Sequence, residues 1–193
     1  MSCNDIKFTN FVFRAQLSKA VDLKEIEERA NKSLKIHDAV LRDTKPIMLT
    51  LRRYLNNIVI FPSGKLRLMG CQITSELEAT KFLHRIVAKK LCKSKVMVTP
   101  VKLQTISATY DFHHPINLPH LHEAIKCHFN NAKMNRLELE IFPALQLKLW
   151  SQTLHVNVFA SGKVVMTGLK DKETSETVVR DLTHFINMYK QSD

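Results

Sequence analysis

Ile60-Phe61-Pro62-Ser63-Gly64-Lys65-Leu66-Arg67-Leu68-Met69-Gly70 returns later in the chain as Val158-Phe159-Ala160-Ser161-Gly162-Lys163-Val164-Val165-Met166-Thr167-Gly168. The step from Phe61 to Phe159 is 98 residues. Upstream, Val21-Asp22-Leu23-Lys24-Glu25-Ile26 parallels Ile116-Asn117-Leu118-Pro119-His120-Leu121 at a step of 95. Two anchors at nearly one offset identify a duplicated unit of about 95 residues, with a three-residue length difference between the anchors. The expected domains are 1–95 and 96–193, joined by a linker at Lys93–Pro100.

Both copies follow one plan. A short strand, Phe11–Leu17 or Thr105–Asp111, leads to a helix. Asp22 is the expected N-cap in the first copy, with Leu23, Ile26 and Ala30 on one face. Leu118, Leu121, Ile125 and Phe129 line the counterpart. Ile47/Leu49/Leu51 and Leu145/Leu147/Leu149 alternate with the period of half-buried strands. Ser-Gly then makes a tight turn between two strands. A long helix closes each unit: Ser75-x-x-Glu78 is a capping box before Phe82, Leu83, Ile86, Val87 and Leu91. The second copy has Val178, Val179, Leu182, Phe185, Ile186 and Tyr189 in that role. Strands that are apolar on one side only imply an α+β fold, with helices behind an antiparallel sheet and a free face in front.

Alternation assigns that free face. With Ile58, Ile60, Leu66 and Leu68 in the core, Val59, Phe61, Lys65, Arg67 and Met69 point outward. Asn157, Phe159, Lys163, Val165 and Thr167 do so in the second copy. A single Phe at a strand end is most often core. Its recurrence beside the same turn and lysine favours the open face. Aromatics, small apolar groups and cations on an open sheet suit the DNA minor groove, which offers few distinguishing donors and is read through shape and deformability. Apolar wedges unstack a base step, and flanking Lys and Arg release phosphate counterions.

Charge agrees. The chain of 193 residues carries 29 Lys plus Arg against 18 Asp plus Glu, a net charge of +11. Residues 1–98 hold 19 basic and 9 acidic side chains, whereas 99–193 hold 10 and 9. Such a surface draws polyanions. No apolar run reaches bilayer length, so no membrane partner is expected. Met1-Ser2-Cys3-Asn4-Asp5 lacks the start of a signal peptide, and an intracellular chain is the expectation. Cys3, Cys71, Cys92 and Cys127 are scattered and read as reduced thiols. His113, His114, His120, His122, Cys127 and His128 fit no zinc spacing, and no metal or cofactor is expected. No catalytic signature stands out, and the reading is not an enzyme.

From about Phe8 to Lys190 the chain resembles the TATA-box-binding protein family. The resemblance rests on the two Phe-x-Ser-Gly-Lys turns, the Val21-Asp22-Leu23-Lys24 helix start and Glu138-x-Glu140-Ile141-Phe142-Pro143. It implies a saddle: a curved ten-stranded antiparallel sheet with four helices on its convex side. The family kinks DNA with two Phe pairs. Phe142 and Phe159 match the second pair, 17 residues apart, and Phe61 matches one member of the first. The other position, counted back 17, is Thr44. Asn10 matches a base-contacting Asn, replaced by Thr105 in the second copy, and Val12, Arg14, Ser107 and Thr109 follow on that face. Val165 and Thr167 match groove-lining residues that are Arg67 and Met69 in the first copy. Lys65, Lys148 and Lys163 match phosphate-contacting positions, and Thr50 replaces an Arg. Glu138, Glu140 and Ile141 match the contact for a transcription factor IIB-like protein. Lys81, Arg85, Lys89 and Lys90 stand where a factor IIA-like protein or a repressor docks. The resemblance implies a divergent, TBP-related transcription initiation factor from a virus or a protist. It would bind and bend promoter DNA and recruit RNA polymerase, in the nucleus or in a viral factory. The alternative is an interaction scaffold of the same fold that has lost specific DNA binding.

Overall fold

The computed structural model describes residues 5–33, 38–41, 48–53, 55–93, 96–128, 135–148 and 150–190. The chain divides into two compact units, Asn10–Gln104 and Thr105–Asp193, the latter taking in the amino-terminal residues up to Thr9. The first unit holds strands β1 (Lys7–Gln16), β2 (Asp38–Leu41), β3 (Leu49–Arg53), β4 (Asn56–Ile60) and β5 (Lys65–Gly70), in the order β2-β3-β4-β5-β1. The second holds β6 (Lys102–Asp111, whose residues up to Gln104 fall in the first unit), β7 (Asn135–Arg136), β8 (Ala144–Leu147), β9 (His155–Phe159) and β10 (Lys163–Leu169), in the order β6-β10-β9-β8-β7. Both first strands begin earlier than the apolar pattern suggested, at Lys7 and Lys102, where a single apolar residue among polar ones gives no alternation signal. The expected α+β class with antiparallel strands is the observed one.

Helix α1 (Leu23–Ser33) starts where Asp22 Oδ1 accepts from the backbone N–H of Lys24 at 2.8 Å. Asn117 does the same for α3 (Leu118–His128), accepting from His120 N–H at 3.2 Å. Ser75 Oγ caps α2 (Glu76–Leu83) by accepting from Glu78 N–H at 3.2 Å. The reciprocal arm of that box moves one residue back: Glu78 Oε2 accepts from Thr74 N–H. After Leu83 the chain departs from the expected α-helix and continues as a π-helix, His84–Leu91. Its wider turn brings three consecutive residues, Ile86, Val87 and Ala88, into the core. The last helix, α4 (Glu173–Lys190), buries Val178, Val179, Leu182 and Phe185.

The two Ser-Gly turns are superimposable in their bonding. Gly64 N–H donates to Phe61 O and Gly162 N–H to Phe159 O, both at 2.9 Å. Leu17 N–H then donates to Gly64 O, as Phe112 N–H does to Gly162 O. Val21 N–H donates to Pro62 O, as Ile116 N–H does to Ala160 O. Each turn is thus tied to the strand-to-helix corner of its own unit. Gly64 (φ 80°) and Gly162 (φ 92°) adopt left-handed backbone that L side chains rarely take.

Strand register locates the three-residue difference between the copies. Leu51 pairs with Ile58, seven residues on, whereas Leu147 pairs with Val156, nine on. Two residues of the difference therefore lie in this hairpin. The third lies before β2, since Ala39 faces Leu51 as Asn135 faces Leu147, a step of 96. The expected linker is not a free tether. Leu17 bridges Val98, Ser18 N–H donates to Met97 O, and Thr99 N–H donates to Gln16 O. The polar end of β1 captures this segment through backbone groups, which side-chain composition does not report. Phe129 and Leu149 lie outside the described residues.

Candidate nucleic-acid interface

Each sheet has one face closed by side chains of near-zero exposure and one left open. In the first unit Phe11, Phe13, Ile58, Ile60, Leu66 and Leu68 are all at most 2% exposed. Between them Asn10, Val12, Phe61 and Met69 are half-buried, and Arg14, Lys65 and Arg67 are exposed. In the second unit Ile106, Ala108, Val156, Val158, Val164 and Met166 are buried. Thr105, Ser107, Thr109, Asn157, Phe159, Val165 and Thr167 alternate with them as half-buried residues, with Lys163 exposed.

Hydrogen-bond register turns these lists into rows. Across the first unit Thr50, Val59, Arg67 and Arg14 stand opposite one another on β3, β4, β5 and β1. The matching row of the second unit is Gln146, Asn157, Val165 and Thr109 on β8, β9, β10 and β6. A neighbouring row holds Asn57, Met69 and Val12, matched by His155, Thr167 and Ser107. The two faces therefore share a plan but not a chemistry. Val59 is on the open side by register yet only 6% exposed, more enclosed than alternation predicts. Long neighbours on the same face account for this: Arg67 stands directly opposite, and its Cζ lies 5.9 Å from the Phe61 ring centroid. Gln146, between buried Leu145 and Leu147, escaped the sequence reading although its alternation marked it.

Phe142 and Phe159 are brought together. Their ring centroids are 6.1 Å apart, tilted by 60°, and both side chains are half-buried rather than enclosed. Phe159 ends β9, and Ala144 opposite it starts β8 two residues after Phe142. Lys148 is exposed just beyond β8. The first-copy position expected to have lost its wedge, Thr44, lies outside the described residues.

Before Phe142 the chain makes a turn in which Ile141 and Phe142 N–H groups both donate to Glu138 O at 2.9 Å. Leu139 and Ile141 protrude, at 50% and 74% exposure, alternating in sequence with the exposed Glu138 and Glu140. Arg136 hydrogen-bonds Glu138 and holds its carboxyl below the usual glutamate range. An acidic turn carrying two bare aliphatic side chains is suited to a protein partner. On α2 and its π-helical extension, Lys81, Arg85, Lys89 and Lys90 are exposed.

The histidines do not converge. His120 is exposed and His122 half-buried on α3, while His128 packs edge-on against Phe185 at 5.4 Å. Burial and nearby Lys126 push the His122 pKa down. Among the described residues no three His, Cys, Asp or Glu side chains gather as a metal would require.

Comparison with known proteins identifies the family. The family model described as "Transcription factor TFIID (or TATA-binding protein, TBP)" matches residues 100–189. A TATA-box-binding protein of Methanopyrus kandleri is 31% identical over 133 residues, covering 68% of this chain and 71% of its own. That of Tetrahymena thermophila is 26% identical over 187 residues, covering 97% of this chain and 72% of its own. The solved structure of Methanococcus jannaschii TBP matches with a TM-score of 0.69 and 26% identity, covering 95% of this chain and 99% of that one.

Proposed function

Because the chain belongs to the TATA-box-binding protein family of non-enzymatic transcription initiation factors, we propose that it binds promoter DNA through the minor groove and bends it. Phe142 and Phe159 act as a wedge pair and Phe61 as a single wedge. Asn10, Val12, Val59, Arg67, Met69, Thr105, Ser107, Thr109, Asn157, Val165 and Thr167 line the contact, while Arg14, Lys65, Lys148 and Lys163 meet phosphates. The observation that carries this reading is the Phe142–Phe159 pair, 6.1 Å apart and half-exposed at the edge of an open sheet face. Two adjacent, partly bare rings suit insertion at a base step, where unstacking costs a few kcal/mol and the kink is repaid by wider contact.

The acidic turn at Glu138, Glu140 and Ile141 recruits a transcription factor IIB-like protein and, through it, RNA polymerase. The basic stripe of Lys81, Arg85, Lys89 and Lys90 receives a factor IIA-like protein or a repressor. Each copy of the duplication, 1–95 and 96–193, serves as one half of the DNA-binding surface. The working compartment is the nucleus, or a viral factory for a chain encoded by a virus, and identities of 26% and 31% are in keeping with a TBP-related factor rather than a conventional member.

A gel-shift and circular-permutation bending assay on TATA and random duplexes tests this. Joint replacement Phe142→Ala/Phe159→Ala should abolish bending while the protein stays folded by circular dichroism. Bending that survives the double replacement counts against the wedge role. A second reading has one observation in its favour: Arg14 and Arg67 stand where the second copy carries Thr109 and Val165. If the wild-type protein binds no duplex yet still captures a factor IIB-like partner, the interaction scaffold is the better description.

A further inference from the structure

The open face of the second unit carries two carboxamides side by side. Gln146 on β8 and Asn157 on β9 stand directly opposite each other. The same register in the first unit holds Thr50 and Val59, neither of which is an amide. Gln146 and Asn157 are both half-buried, and neither side chain has a hydrogen-bond partner among the described residues. Their surroundings offer none. Leu145 and Leu147 flank Gln146, and Val156 and Val158 flank Asn157, all of them turned into the core. On its other side Asn157 faces Val165 of β10. The pair also sits close to the aromatic wedge, since Ala144 opposite Phe159 is two residues from Gln146 opposite Asn157. Two residues of strand span about 7 Å.

We infer that Gln146 and Asn157 make the second unit select a G·C base pair beside its wedge, through the guanine amino group. This rests on the DNA-binding reading above and specifies which base pair one part of the surface takes. In the minor groove A·T and T·A present acceptors only, whereas G·C adds the guanine N2 amino donor. An aliphatic side chain pressed against that amino group strips its water and offers no acceptor, so the unmade bond counts against binding. A carboxamide holds an acceptor oxygen and a donor NH2 in one plane. Its oxygen takes a proton of guanine N2 while its NH2 donates to guanine N3 or cytosine O2. An A·T pair in the same place still receives the NH2, but it leaves the oxygen desolvated and unpaired. Both side chains are neutral, so the selection adds nothing to phosphate attraction and is insensitive to salt. Thr50 and Val59 supply no matching amide, and the selection is confined to the second unit.

The test measures binding of the full chain to duplexes with a short A·T core between G·C flanks. Each core position in turn carries a G·C pair, then an inosine·C pair, which lacks only the N2 amino group. At one position toward one end of the core, wild-type protein should bind G·C more tightly than inosine·C by about fivefold or more. At the remaining positions the order should be the reverse. Gln146→Thr/Asn157→Val installs the residues of the first copy and should return the exceptional position to the order seen elsewhere. Thermal melts show that the variant is folded, and both residues lie on the open face rather than in the core. Wild-type protein that binds the core yet prefers inosine·C at every position overturns the inference. So does an exceptional position that survives the double replacement. Wild-type protein that binds none of the duplexes overturns the DNA-binding reading itself, an outcome distinct from the other two.

Discussion

At Gly162 a Cβ would stand 2.3 Å from the carbonyl oxygen of His114, and at Gly64 it would stand 2.6 Å from that of Lys19. Both obstructions are backbone, so neither can swing aside, and both residues hold positive φ. Gly162→Ala and Gly64→Ala should each destabilise the protein by more than about 1 kcal/mol in urea titration. A neutral effect would show that the turn can detach from its corner. The phenylalanines divide by burial. Phe13, at 1% exposure, should cost about 3–5 kcal/mol when cut to Ala. Phe159, half-exposed, should cost much less. Equal losses in equilibrium denaturation would make Phe159 a core residue and remove it from the DNA surface. The parity of Phe61 and Phe159 was legible because each follows an alternating strand whose last core residue, Ile60 or Val158, precedes it. Their surroundings were not: the approach of Arg67 to Phe61 joins side chains six residues apart across a turn.

Helix ends carry the clearest local signals. Ser75→Ala should lower stability by about 0.5–2 kcal/mol, the usual cost of losing a cap, read as a drop in Tm. At α4, Asp171 Oδ1 accepts from both the backbone N–H (2.7 Å) and the hydroxyl (2.6 Å) of Thr174. These bonds hold the Asp171 carboxyl below the usual aspartate range. A lowered folded-state pKa means the contribution is present in full above the unfolded value, about 3.9. It is lost as pH falls through the lower folded value. Asp171→Asn should therefore flatten the stability profile in that acidic window and leave the region above it parallel to wild type. A profile unchanged below pH 4 would separate Asp171 from acid unfolding. The π-helix was not legible. Leu83, Ile86, Val87 and Leu91 make an acceptable α-helical stripe, and the wider turn appears only in backbone bonding, where Cys92 N–H donates to Val87 O, five residues back.

Across the whole molecule the two copies have diverged in opposite senses. The family model matches residues 100–189, the half that keeps Phe142, Phe159, Val165 and Thr167. Residues 1–98 instead carry 19 of the 29 basic side chains. Phosphate attraction is indifferent to sequence and steep in salt. The chain should therefore show a steeper fall of log K with log salt, and a weaker TATA preference, than a conventional member of its family measured alongside. Matching slopes with an undiminished preference would show that the first half's charge adds no sequence-indifferent attraction.

The duplication, the α+β class, the caps at Asp22 and Ser75 and the inward and outward parity of the strands beside each Ser-Gly turn were legible in the sequence alone. Every one of them is a local or periodic property, written in neighbours a few residues apart. Only the tertiary structure decided that the hairpin of the first copy is two residues shorter, that Arg14 faces Arg67, and that Met97, Val98 and Thr99 are held by the end of β1. Those facts depend on which backbone N–H meets which carbonyl between one segment and its partner, and the period of a single strand carries no record of that partner.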